Sequence, residues 1–207
     1  MAGTMSEADL VADLQGSLQD AANAFTAASS ADFKRHLKAA ALAFSRKRRR
    51  TLTGTLTLVA DQAQYACPDA LVAFKSALWG LASTIDPRPW EKSYPGRLPD
   101  AVVVEASGVR KIELRPAPTA AQISQLGSEY RYYYFAGHEV GADAAQTTIH
   151  AGERQLLLLR AQAEAMRELA ARNIVKPMAV RDGLTQTPRN GTPSYLYHEL
   201  LAEFEAA

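Results

Sequence analysis

The stretch from Val102 to Val140 constrains this chain most. Three strand-like runs follow one another there, separated by turn signals. Val102-Val103-Val104 is β-branched and is broken by Ser107-Gly108. Lys111 to Arg115 alternates polar and apolar residues, the period of a half-buried strand. Tyr130, Tyr132, Tyr134 and Phe135 form an aromatic run that favours β structure. The segments on either side carry helical periodicity, so the sequence predicts a β unit set between helices.

Ser6 to Phe25 reads as a helix, with Ser6 and Asp9 in capping-box spacing and Leu10, Leu14, Leu18, Ala21 and Phe25 on one face. That face is narrow, which predicts a peripheral helix packed on another element, and Gly16 weakens it. A second helix is expected from about Ala31 to Arg48, capped in the region Ser29-Ser30-Ala31-Asp32, with Phe33, Leu37, Ala40, Ala41 and Phe44 inward. Thr51 to Val59 switches to period two and reads as a strand interrupted by Gly54. Residues 70–81 fit either a strand or a short helix. Four prolines between Asp86 and Pro99 forbid a regular element, and Trp90 and Tyr94 are expected to anchor that loop. After a linker, Thr147 or Thr148 is expected to cap the longest helix, ending near Asn173. Its two apolar seams mark it as central: Leu156, Leu159, Ala163, Met166 and Ala170 on one, Leu157, Ala161, Ala165 and Leu169 on the other. Residues 174–193 read as an extended arm. It ends in a short amphipathic helix, capped by Ser194, with Tyr197, Leu200, Leu201 and Phe204 on one face. The expected class is α+β: a helical bundle with an inserted small antiparallel β unit and a C-terminal arm ending in a helix. The expected segments are 1–50, 51–140, 141–173 and 174–207.

Charge is unevenly distributed although the net charge is only +1. Residues 1–30 carry Glu7, Asp9, Asp13 and Asp20 and no Lys or Arg, whereas residues 31–50 carry eight Lys and Arg against Asp32 alone. Such blocks imply contacts with oppositely charged neighbours, including other copies of the chain. The densest run, Arg46-Lys47-Arg48-Arg49-Arg50, has two readings: contact with nucleic-acid phosphates without sequence specificity, or a solvated or salt-bridged helix end. Likewise the tyrosine run could stack on bases or simply pack.

Catalytic signatures are missing from the sequence. It has no Gly-x-Ser-x-Gly elbow, Walker loop or dinucleotide fingerprint. His36, His138, His150 and His198 are scattered without metal-ligand spacing and read as surface residues. Glu153 and Glu164 lack an acid/base partner. Cys67, the sole cysteine, excludes an intrachain disulfide and reads as a small buried apolar residue. The start lacks a basic cluster followed by an apolar run, so no secretory signal is expected, and no apolar run of the sequence is long enough to span a bilayer. Neither an enzymatic activity, a metal nor a cofactor is expected.

The order strand, Tyr65-x-Cys67-Pro68, proline-rich loop, Ile112-x-Leu114-x-Pro116-Ala117-Pro118, tyrosine strand, bracketed by a basic helix and a long leucine-rich helix, resembles the head–tail adaptor (connector) proteins of tailed bacteriophages. The resemblance spans roughly Phe33 to Arg172. Tyr65 and Pro68 match the family's turn, with Cys67 where an aliphatic residue is usual; Ile112, Leu114, Pro116 and Pro118 match its strand end. It implies a non-enzymatic virion protein of the neck between capsid portal and tail. Such a protein forms a dodecameric ring, binds the portal and a downstream neck or tail protein, lets genomic DNA pass through its lumen without sequence specificity, and has no membrane contact. The arm, with Tyr195, Tyr197, Leu200, Leu201 and Phe204, would dock into the portal, and Arg46 to Arg50 would meet DNA or an acidic neighbour. The acidic first helix is atypical of the family.

Overall fold

The computed structural model describes residues 4–80, 88–91, 94–173 and 192–207. The chain is α+β. It divides into a helical unit, made of Met1–Arg48 together with His138–Ala207, and a β-rich unit, Arg49–Gly137, inserted between those halves.

In the helical unit, α1 spans Glu7–Leu18, and the Ser6 hydroxyl accepts the Asp9 amide as N-cap. The helix is shorter than the sequence predicts, because Gln19 adopts φ 49° and the chain continues as a 3-10 turn over Gln19–Ala24. It is also not peripheral. Leu10, Val11, Leu14 and Leu18 are buried in the main core, so a stripe with few large residues still reaches deep when small neighbours allow close approach. The next helix, α2, spans Ala31–Lys47 and buries Phe33, Leu37, Ala40, Ala41 and Phe44 as its periodicity predicts. Ser30 before it is left-handed and makes no side-chain cap.

Thr147 and Thr148 do not cap the long helix. Thr147 Oγ1 donates to the Met5 carbonyl at 2.6 Å and Thr148 Oγ1 accepts from the Glu139 amide at 2.8 Å, fastening the preceding segment instead. A 3-10 turn over Ala151–Glu153 leads into the long helix proper, Arg154–Asn173. The terminal helix spans Pro193–Ala206; Thr192, not Ser194, is its cap, and Pro193 takes the N1 position where its missing N–H costs nothing.

The β-rich unit holds two three-stranded antiparallel sheets. One has β1 (Arg50–Thr57), β6 (Glu129–Ala136) and β3 (Leu71–Ala77), with β6 central. The other has β2 (Gln64–Ala66), β5 (Val109–Arg115) and β4 (Asp100–Ala106), with β5 central. Within the ambiguous residues 70–81, of which residue 81 lies outside the described residues, Leu71–Ala77 thus form β3. Its pairing with β6 shifts register twice, between Leu71 and Ala73 and between Phe74 and Ser76, and each shift breaks the period-two alternation that would have marked a strand. Gly54 sits opposite Tyr132 in β1, where a Cβ would run into the Tyr132 ring, so the interruption of the β1 pattern makes room for an aromatic side chain.

A short helix, α3 (Ala120–Leu126), separates β5 from β6; the long and terminal helices are therefore α4 and α5. Thr119 and Gln122 close a capping box at the α3 start. The buried Gln122 side chain also donates to the Pro95 and Arg97 carbonyls at 3.0 and 2.9 Å. It is Gln122 that holds this part of the proline-rich loop; Trp90 is 75% exposed and Tyr94 is exposed too, contrary to the anchoring expected of them.

α4 packs against α1, α2 and α5. Its Leu157, Leu158, Ala161, Ala163, Ala165 and Met166 are buried, in keeping with a helix apolar on two sides.

Candidate functional site

The two segments that carry the family resemblance, some fifty residues apart, form one corner of the β unit. Tyr65 pairs with Ile112 across β2 and β5, and the Leu114 amide donates to the Ala63 carbonyl at 2.8 Å. The Asp61 amide reaches the Pro118 carbonyl at 2.8 Å. The Tyr65 hydroxyl accepts from the Val59 amide at 3.1 Å and lies 3.0 Å from the Gln62 carbonyl, to which it donates, closing the β1–β2 turn. Ile112, Leu114 and Pro118 are fully buried. β5 ends at Arg115, directly before the prolines, because proline cannot donate to a ladder. Pro68 accepts the Leu71 amide at 3.0 Å and turns the chain into β3. The motif residues thus set the shape of this corner.

Beside it lies a cleft of about 600 Å³ lined by Tyr65, Cys67, Pro68, Asp69, Arg110 and Lys111. Burial raises the Cys67 thiol above its ordinary pKa; Arg110 opposes that and Asp69 adds to it. A nucleophilic cysteine requires the reverse.

The basic run is divided between the units. On the helical unit Lys47 Nζ donates to the Phe204 and Glu205 carbonyls at 2.5 and 2.8 Å, where a cation offsets the negative end of the α5 dipole. Arg48 pairs with Glu153 at 2.6 Å and donates to the Ala207 carbonyl. Arg46 is exposed. On the β unit Arg49 lies 5.6 Å over the Phe135 ring and Arg50 reaches the Gly137 carbonyl. Lys47 and Arg48 are therefore committed to contacts within the chain.

The tyrosine strand is mainly packing. Tyr130 and Tyr132 are wholly buried and Tyr134 nearly so, while Tyr133 is partly exposed. Burial pushes the Tyr130 and Tyr132 hydroxyls up to about 12.

Of the five aromatic and aliphatic residues proposed for docking, Phe204 is buried and packs with Tyr197 and Leu200 into the helical core. Leu201 is half-buried and Tyr195 exposed. Most of the amphipathic face of α5 therefore lies against its own chain. Residues 174–191, read from the sequence as an extended arm, lie outside the described residues.

Sequence reasoning missed one polar cluster. His36 is buried, not on the surface, and its Nε2 lies 2.8 Å from Glu168 Oε2. Arg35 pairs with the same carboxylate at 2.6 Å, and Arg172 pairs with it as well. Arg35 and Arg172 also meet Asp32, at 2.8 and 3.7 Å. Partial burial works to raise the Glu168 pKa, but the hydrogen bonds from His36, Arg35 and Arg172 outweigh it and hold the carboxyl at about 2. The signal was present: His36 falls on the helical face of Phe33, Leu37 and Ala40. Glu164, likewise unassigned by the sequence, is buried between Arg160 and Arg167 at 2.6 Å each. These carboxylates are locked in ion pairs that join or brace helices. Among the described residues no group of His, Cys, Asp and Glu is placed to hold a metal ion, and no helix is long and apolar enough to cross a membrane.

No protein-family model matches the chain, and no curated protein matches it.

Proposed function

We propose that this protein is a structural component of a virion: a head–tail adaptor whose copies form a ring joining the portal to the tail, with genomic DNA passing through the lumen. One observation carries the reading. The Tyr65–Pro68 turn and the Ile112–Pro118 strand end, the two segments that resemble the adaptor family, are built into a single corner of a β unit inserted in a helical unit, with Tyr65, Ile112, Leu114 and Pro118 buried. The Glu168 and Glu164 clusters fit a structural role, since their charges are spent on ion pairs between and along helices.

The test is to mix the purified protein with the portal of the same virion and examine the mixture by electron microscopy. Ring-shaped particles stacked on the portal are the expected result; absence of both rings and portal binding refutes the proposal. Removing residues 188–207 is a poor probe of docking, because it would strip buried Phe204 from the helical core. Substituting exposed Tyr195 and Leu196 tests the terminal helix without that cost. The other reading, a non-specific nucleic-acid binder, keeps Arg46 and Arg49 as its exposed cations. It predicts a steep loss of binding with salt.

A further inference from the structure

Two surfaces of the helical unit are complementary. On α2, Lys38, Leu42 and Arg46 form an outward line at intervals of four residues, a span of about 12 Å along the helix. Leu42 is 59% exposed. The other cations of α2 are engaged: Lys34 by Glu7, Arg35 by Asp32 and Glu168, Lys47 by the end of α5. Lys38 and Arg46 have no partner among the described residues. An isolated exposed leucine needs no explanation; one centred between two uncommitted cations on a helix face is a different matter.

The second surface has the opposite character. A cleft of about 460 Å³ lies between the start of α4 and the end of α5. Half-buried Leu156 and Leu159, with Gln155, Gln162 and exposed Glu203, line it together with the Arg48–Glu153 ion pair, whose charges offset one another. Exposed Glu199, one turn before Glu203, extends the acidic line along α5. Leu156 and Leu159 beside Glu199 and Glu203, uncommitted among the described residues, match a leucine flanked by uncommitted cations.

We propose that this cleft receives the Lys38–Leu42–Arg46 line of a second copy of the chain, Leu42 against Leu156 and Leu159 and the cations against Glu199 and Glu203. The two surfaces are made of different residues, so the contact is heterologous, and heterologous contacts close into rings when the rotation per copy allows it. The inference rests on the ring reading above and names the faces that would build the ring.

Charge reversal tests it. One variant carries Lys38→Glu and Arg46→Glu, the other Glu199→Lys and Glu203→Lys; all four residues are exposed. Self-association is measured by sedimentation velocity over a concentration series. Wild type associates, and each variant alone does so at least about tenfold more weakly, since both its faces now carry the same sign. An equimolar mixture recovers wild-type association, because every contact between unlike copies is again between opposite charges. The proposal is overturned if either variant associates as wild type does, if the mixture fails to recover, or if wild type remains monomeric at the highest concentration reached. It is also overturned if Glu199→Lys with Glu203→Lys abolishes portal binding with no self-association in wild type, which would give the cleft to a different protein. The adaptor reading is judged separately, by whether wild type binds the portal.

Discussion

Replacing Glu168 by Gln removes the charge at the centre of the α2–α4 clasp and keeps the side chain's shape. In the folded chain that carboxylate meets Arg35 at 2.6 Å and His36 at 2.8 Å, and it also pairs with Arg172. Its pKa is held at about 2 against an ordinary 4.5. A depression of that size corresponds to at most about 3 kcal/mol of linked stability. The Arg35 side chain is 58% exposed, so solvent screens part of the interaction. The expected cost of Glu168→Gln near neutral pH is therefore about 1–2 kcal/mol. The sign follows from the depressed folded value: the stabilisation is fully present above the unfolded pKa and is lost as pH falls through the folded one. The stability gap between wild type and variant should be constant from about pH 7 to 5, narrow below about 4.5 and approach zero near 2. Urea unfolding followed by circular dichroism at a series of pH values measures it. A gap that persists unchanged down to about pH 3 would mean that Gln fails for reasons of packing, and the electrostatic account of the clasp would be wrong.

Two further substitutions probe the terminal helix and the motif corner. Phe204→Ala removes the one fully buried side chain of α5 along with its contacts to Lys47 and Arg160, and should cost about 3–5 kcal/mol. Hydrogen exchange should show the loss concentrated in α5, with α2 and α4 keeping their protection; uniform loss across all three would contradict a locally docked helix. Tyr65→Phe leaves the Val59 amide and the Gln62 carbonyl without the hydroxyl that joins them, for about 1–2 kcal/mol. Chemical denaturation checks this, and an unchanged midpoint would remove the hydroxyl from the account of the turn.

Much of the helical unit was legible because burial there follows period 3.6. Phe33, Leu37, Ala40, Ala41 and Phe44 of α2 and Leu157, Ala161 and Ala165 of α4 are the plainest cases, whereas Leu156, Leu159 and Ala170 of the other α4 seam are only half-buried. Strands were legible where alternation was unbroken, as in β5 and β6, whose buried Ile112, Leu114, Tyr130 and Tyr132 recur every second residue. β3 was ambiguous because its two register shifts erase that period. The helix α3 was overlooked although Thr119 and Gln122 stand at capping-box spacing, since prolines and a single turn of apolar residues obscured it. Caps were misplaced where several hydroxyls compete: Thr147, Thr148 and Ser194 were equally eligible by local chemistry, and distant backbone groups such as the Met5 carbonyl decided which were used. The Glu168 cluster joins residues more than 130 positions apart, so only the periodic position of His36 hinted at it.

The first and last strands of the inserted unit are hydrogen-bonded neighbours, Arg50 opposite Ala136. Once that pairing exists, α2 and the segment leading to α4 are tethered as though by a tight hairpin. Closing an unstructured loop of about 90 residues instead of one of a few would cost the helices about 2–3 kcal/mol more in chain entropy. The insert therefore works as an entropic staple for the α2–α4 pair. It also follows that a short turn bridging Arg48 and His138 could replace the whole insert and leave the helical unit able to fold.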